Sequence, residues 1–287
     1  MSRKLRAGYF AAFLGLLLLA VVPLLAGCGD DAKTSPTGTG GPTAGPFVLS
    51  GTIDEAGSTS VQPLAEMLAH EFMGIHPDVT INISGGGSST GVKSCASGIV
   101  DVGAASRDVK ITETDLIPYA ISRDAVAIAV HSSNPVTELS VDHVAAIYEG
   151  TITNWSEVGG DDAEIVVVSR EEGSGTRDTF ESKVTEDIKD DALFYDSNGN
   201  VRTKVAQTPN AIGYLSLGYV EGIKALKLDG VECSLENCVS GEYPVLRRLY
   251  LLTTDVPDGA VKAFIDFCRS EEGQAIVEEE GYIPLNL

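Results

Sequence analysis

The chain has 287 residues, 43% of them hydrophobic but only 6% aromatic, with 31 glycines, five cysteines and a formal net charge of −21. That length allows one large domain or two smaller ones with real cores, and many glycines with few aromatics suit an α/β protein with tight strand-to-helix turns. The acidic balance and the lack of a basic patch exclude nucleic acid as a partner, and any anion site must work through local donors rather than global attraction.

In chain order, Arg3, Lys4 and Arg6 precede an apolar run over residues 10–25, which ends in Leu25-Ala26-Gly27-Cys28. By pattern alone this is a secretory leader or a membrane anchor. The ending resembles the lipobox of bacterial lipoproteins, which implies a signal peptide over 1–27 and lipidation of Cys28. Residues 30–46 are mostly Gly, Pro, Thr and Ser and cannot bury a core, so 28–46 is expected to be a lipidated cysteine and a flexible tether.

Phe47, Leu49 and Ile53 alternate with polar residues and predict a first strand. Gly57-Ser58-Thr59-Ser60 follows, and Val61, Leu64, Ala65, Leu68, Ala69 and Phe72 then recur at helical spacing. The unit repeats: Val79, Ile81 and Ile83 predict a strand, residues 85–91 a Gly/Ser turn, and Val92 onward a helix. Residues 101–105 form a short small-residue strand before Ser106-Arg107-Asp108. Residues 125–130 are a fourth apolar strand, and residues 141–148 a helix with Val144, Ile147 and Tyr148 on one side. Trp155 reads as a packing residue that fixes the loop before the next strand. Residues 210–218 give a strand and turn, Arg247 to Leu252 an apolar strand, and 256–280 a helical C-terminus.

The most informative stretch is residues 165–180, Ile-Val-Val-Val-Ser-Arg-Glu-Glu-Gly-Ser-Gly-Thr-Arg-Asp-Thr-Phe. Four β-branched residues suit a strand buried on both faces, and Gly173-Ser174-Gly175-Thr176 leads into a helix. A helix start carries free N–H groups and the positive end of the dipole, so it seats anions. Arg170 adds a planar fork suited to an oxyanion. No Gly-Lys-Ser/Thr follows, so this is not a Walker P-loop.

The run from Arg170 to Glu181 resembles the signature of the phosphate-binding proteins of bacterial phosphate ABC transporters. Blocks at 150–160 and 210–218 match that family too, and the likeness spans residues 48–287. It implies an α/β, two-domain periplasmic-binding-protein-like fold of type II, each domain a central mixed sheet flanked by helices, with the ligand cleft between them. The expected division is 47–127 plus 250–287 for domain I and 128–249 for domain II. Carried over residue by residue, the phosphate ligands fall on Ser58, Thr59 and Ser60, on Ser88, on Ser106, on Arg170, and on Ser174, Gly175 and Thr176. Many members place an aspartate where this chain has Ser106, which leaves the means of rejecting sulfate open. Asp108 is an alternative acceptor. Arg107 is either a second cation for the ligand or a partner for Asp108 or Asp124.

The resemblance further implies a binding protein rather than an enzyme, without cofactor or metal, working as a monomer. It would be lipid-anchored outside the cytoplasmic membrane and deliver inorganic phosphate to ABC permease subunits. The histidines (His70, His76, His131, His143) are scattered and no cysteine has metal-site spacing with them. Cys233 and Cys238 are close enough in sequence for a disulfide, while Cys95 and Cys268 lie on predicted helices, paired or simply buried. Two alternatives remain: a carrier of sulfate, molybdate or tungstate, and a serine hydrolase using Ser174 or Ser88. The second lacks a Gly-x-Ser-x-Gly elbow and any histidine after His143.

Overall fold

The computed structural model describes residues 48–285; the leader, Cys28 and the tether lie outside the described residues. In chain order the elements are β1 (Gly51–Gly57), α1 (Gln62–Ile75), β2 (Val79–Ser84), α2 (Ser88–Ala96), β3 (Val102–Ala105), β4 (Ile117–Val130), β5 (Glu138–Leu139), α3 (Val141–Tyr148), β6 (Val166–Arg170), α4 (Gly175–Lys183), β7 (Leu193–Tyr195), α5 (Asn198–Gln207), β8 (Ala211–Ser216), β9 (Lys224–Ala225), β10 (Lys227–Leu228), α6 (Leu235–Ser240), β11 (Leu246–Thr253), α7 (Gly259–Cys268) and α8 (Glu271–Glu279). Among them no helix is long and apolar enough to cross a membrane.

One mixed sheet runs through the order β2-β1-β3-β11-β4-β8-β6-β7, with β9 also on β4. Each half has the central mixed sheet that the resemblance implies, and the fourteen-residue β4 belongs to both halves. Its residues 117–125 pair with β11, whereas 126–130 pair with β8. Two cores match these halves. Ile53, Leu64, Leu68, Phe72, Ile121, Leu251 and Phe264 fill one, and Val126, Ile128, Ile147, Tyr148, Trp155, Phe180 and Tyr214 the other.

The strands that matter for the site are parallel: β1 with β2 and β3 in one half, β6 with β7 and β8 in the other. Parallel neighbours need crossovers, and α1, α2, α4 and α5 supply them, so their N-termini gather at the carboxyl ends of the strands.

Local differences from the sequence reading have physical causes. β1 begins at Gly51 because its pairing begins there, opposite Val79. β4 starts eight residues early, since Ser122, Arg123 and Asp124 break its apolar pattern. α2 starts at Ser88, with Gly87 at φ +86 before it, a conformation that favours glycine. The C-terminal helix divides at Arg269–Ser270, where Ser270 accepts the Gly273 N–H and caps α8. The residue 141–148 helix lies as expected. Trp155 is buried and donates its indole N–H to the Asn210 carbonyl at 2.9 Å, the packing role expected of it. All four described cysteines are free and buried. Cys233 and Cys238 share a core as free thiols, so the disulfide considered from sequence is not formed here. The Cys233 thiol beside it pulls the Cys238 thiol below its usual value, and burial opposes that pull.

Candidate functional site

The strand-to-helix turns meet. After β1, the Ser58 hydroxyl accepts the Ser60 N–H at 3.2 Å and fastens the turn. The Tyr219 and Tyr282 hydroxyls donate to the carbonyls of Thr59 and Ser60 (2.8 and 3.2 Å), so that turn is held from both halves. After β2, Ser88 opens α2, and its hydroxyl accepts the Ser106 N–H at 3.0 Å and lies 3.3 Å from the Ser106 hydroxyl. After β6, Ser174 caps α4 by accepting from the Arg177 N–H at 3.3 Å. Gly175 then presses on the other half: a Cβ there would lie 2.4 Å from Ser88 Oγ and 2.7 Å from Ser106 Oγ. Only glycine permits that approach.

Three further residues complete the cluster. Asn198, the first residue of α5, donates through Nδ2 to Ser60 Oγ at 2.8 Å and to Thr59 Oγ1 at 3.2 Å. Asp124 on β4 stands opposite Arg247 on β11. Arg247 donates from Nε (2.9 Å) and Nη2 (2.6 Å) to Asp124 Oδ2, from Nη2 to Ser60 Oγ at 2.8 Å and from Nη1 to Thr176 Oγ1 at 2.9 Å. Burial pulls the guanidinium below its usual value, and Asp124 opposes that pull while Arg170 adds to it.

Hydrogen accounting shows what the cluster offers. Ser60 Oγ accepts from Arg247 and Asn198, which uses both its lone pairs, so its own hydrogen points at Thr176 Oγ1, 3.1 Å away. Thr176 then accepts twice and keeps a free O–H, as does Thr59. One hydrogen of the Ser88–Ser106 pair is also free. Among the described residues no acceptor takes the backbone N–H of Thr59, Ser88, Gly175 or Thr176. Arg170 is 1% exposed; its Nε and Nη2 hold Glu171 and the carbonyls of Tyr195 and Asp196, while Nη1 has no partner. Buried N–H and O–H groups without acceptors are costly, and a cluster of donors around two guanidiniums has the chemistry of an oxyanion seat.

Comparison with known proteins places this arrangement. A model described as the PBP superfamily domain matches residues 37–272. The phosphate-binding protein PstS of Bacillus subtilis is 34% identical over 280 residues, 94% of this chain and 92% of that protein. A crystal structure with bound phosphate from Clostridium perfringens, assigned as a phosphate ABC transporter substrate-binding protein, is 42% identical with a TM-score of 0.79 and covers 82% of this chain and 100% of that one. The chain belongs to the phosphate-binding proteins of the PBP superfamily. A phosphate transport receptor from Vibrio cholerae is similar as well, at 34% identity and a TM-score of 0.69 over 81% of this chain and 100% of that one. Members of this family are transport binding proteins, not enzymes, and their α/β fold with a curled mixed sheet is the one described above.

Of the family-derived residues, Thr59, Ser60, Ser88, Ser106, Gly175 and Thr176 converge. Ser58 and Ser174 sit at the rim as turn and cap, and Arg170 borders the cluster. Arg107 and Asp108 stand apart from it. Asp108 accepts the Tyr250 hydroxyl, and Arg107 pairs with Glu113 and Asp178, not with the ligand cluster, Asp108 or Asp124 through its charge. Neither Ser88 nor Ser174 is hydrogen-bonded to a histidine among the described residues, so neither has the base a nucleophile needs.

Sequence reasoning missed Asp124, Asn198 and Arg247. Arg247 read as the first residue of an apolar strand. The available signal was charge inside strands: Asp124 next to the apolar run 125–130, and Arg247 one residue from Leu246 in a run otherwise apolar from Leu249.

Proposed function

We propose that this chain binds inorganic phosphate outside the cytoplasmic membrane and passes it to the permease subunits of an ABC importer. The observation that carries the reading is the convergence of unpartnered N–H and O–H donors from three strand-to-helix turns around Arg247 and Arg170. The relatives' names point to the same ligand. Charged hydrogen bonds net about 1.5–3 kcal/mol each, so these donors taken together exceed the roughly 8 kcal/mol of a micromolar site. The excess offsets desolvation of the anion and ordering of the protein.

In this reading residues 1–27 are removed, Cys28 carries the lipid, and 28–46 tether a monomeric binding unit. Its two lobes divide where β4 changes partner, near residues 125 and 246, close to the division read from sequence. Calorimetric titration tests the ligand. Saturable heat with phosphate, and none with sulfate, molybdate or tungstate, is expected; heat with one of those and none with phosphate transfers the reading to another oxyanion. Mass spectrometry of the membrane-extracted protein tests the anchor, which predicts an acylated N-terminus at Cys28.

A further inference from the structure

We infer that Arg107 and Asp178 form a clasp across the mouth of the site that slows escape of the bound anion. They act as positioning residues, and the inference rests on the phosphate reading above. Arg107 follows Ser106 directly, and Asp178 stands two residues beyond Thr176, so each is the chain neighbour of a donor in the cluster. They come from opposite halves of the sheet: Arg107 from the β3–β4 connection, Asp178 from the first turn of α4.

The geometry is specific. Arg107 presents its fork to Glu113, with Nη1 to Oε2 and Nη2 to Oε1 both at 2.8 Å, and donates from Nη1 to the Asp108 carbonyl at 2.9 Å. Glu113 also accepts the Lys110 N–H at 2.8 Å, so the connection is folded around this one guanidinium. Its remaining edge faces Asp178: Nε lies 2.8 Å from Oδ2, near enough for an ion pair although the N–H is not aligned for a hydrogen bond. Lys110 Nζ lies 3.2 Å from the same oxygen. Arg107 is 6% exposed and Asp178 24%, so the pair sits at the boundary with solvent. A cavity of about 340 Å³ lies beside it, lined by both residues and by Lys183, Arg248 and Arg247. The cavity thus brings Arg247, the residue that bonds Ser60 and Thr176, and both members of the clasp to one wall.

The consequence is kinetic. Glu113 keeps Arg107 in place whether or not Asp178 is near, so the Arg107–Asp178 and Lys110–Asp178 attractions exist only when the two halves are together. Losing them speeds separation and leaves the approach of the anion almost unchanged, which puts the effect in the release rate. Because Asp178 is partly exposed, the effect is modest and screened by salt.

Release of labelled inorganic phosphate from the purified protein, chased by excess unlabelled phosphate, tests this. Asp178→Asn is expected to release about fivefold faster, with association and melting temperature unchanged and with the salt acceleration of the parent protein lost; Asp178→Glu restores slow release. Lys110→Met, at an exposed position where folding is not at stake, is expected to release about twofold faster. Parent release rates and parent salt response in both Asp178→Asn and Lys110→Met overturn the clasp. A parent protein that fails to retain phosphate at all overturns the phosphate reading instead, so the two failures are distinguishable.

Discussion

Two regions face each other across the site, and they are built on different principles. On one side the turns after β1, β2 and β6 present backbone N–H groups and short hydroxyls at helix starts. On the other, the strands β4 and β11 present one buried ion pair, Asp124–Arg247. The turns are local: each needs a glycine, a hydroxyl residue and a helix that begins on time. The ion pair is nonlocal. It exists because two strands separated by more than a hundred residues pair in the register that sets Arg247 against Asp124. Donors from turns can be lost one at a time, whereas a buried charge that loses its partner is left uncompensated.

The largest expected effect therefore belongs to the strand pair. Arg247→Ala removes the bonds to Ser60 and Thr176 and strands Asp124, and is expected to cost about 3–5 kcal/mol, shared between phosphate affinity and stability. Titration calorimetry with denaturation separates the two. A loss no larger than that of a single turn hydroxyl breaks the comparison.

Glu55 provides a contrast within the same sheet: a buried acid with no cation. It lies on β1, its Oε2 has no hydrogen-bond partner, and burial, with a smaller push from Glu66, raises its carboxyl from 4.5 to about 8. A group whose folded value exceeds its unfolded value binds more protons when folded. Stability therefore falls as pH rises from about 4.5 and levels off above about 8, with roughly 3 kcal/mol lost by pH 7. Glu55→Gln removes this titration, so its stability advantage over the parent chain, from urea midpoints, is expected to widen between pH 5 and pH 8. A constant gap means that the carboxyl titrates normally.

Arg170 comes next. Glu171 and two carbonyls hold it, and only Nη1 is free. Arg170→Ala is expected to weaken phosphate binding by about 1.5–3 kcal/mol, less than Arg247→Ala, because no buried acid is stranded. The reverse order would mean that the turn arginine, and not the strand arginine, carries the ligand charge.

These differences also explain what could be read from sequence. The turn donors were legible because a strand, a glycine-hydroxyl turn and a helix are each short-range patterns: Thr59, Ser88 and Thr176 stand where those patterns change. The α3 helix over 141–148 was legible for the same reason. Arg247 was not, because its role depends on strand register, and a charged residue in a strand usually points to solvent, as the neighbouring Arg248 does. Asn198 was hidden because α5 has little amphipathic signal, although Ser197 caps it. Arg107 resembled a ligand in sequence because it follows Ser106, but it lies in the connection beyond β3, where Glu113 captures the guanidinium.

The smallest effect comes from within a single turn and gives the finest test of the contrast. Ser58 and Ser60 are two residues apart and both buried. The Ser58 hydroxyl fastens its own turn, and its bond to the Ser60 N–H is a short-range one of the kind worth about 0.5–1.5 kcal/mol. The Ser60 hydroxyl joins both regions, since it accepts from Asn198 and Arg247 and lies beside Thr176. Ser58→Ala is expected to change phosphate affinity tenfold or less. Ser60→Ala leaves two buried donors without an acceptor and is expected to cost more than Ser58→Ala in the same titration. Equal losses would place the work of this turn in its backbone alone, and the side-chain bridge between turn and strand would then contribute nothing to binding.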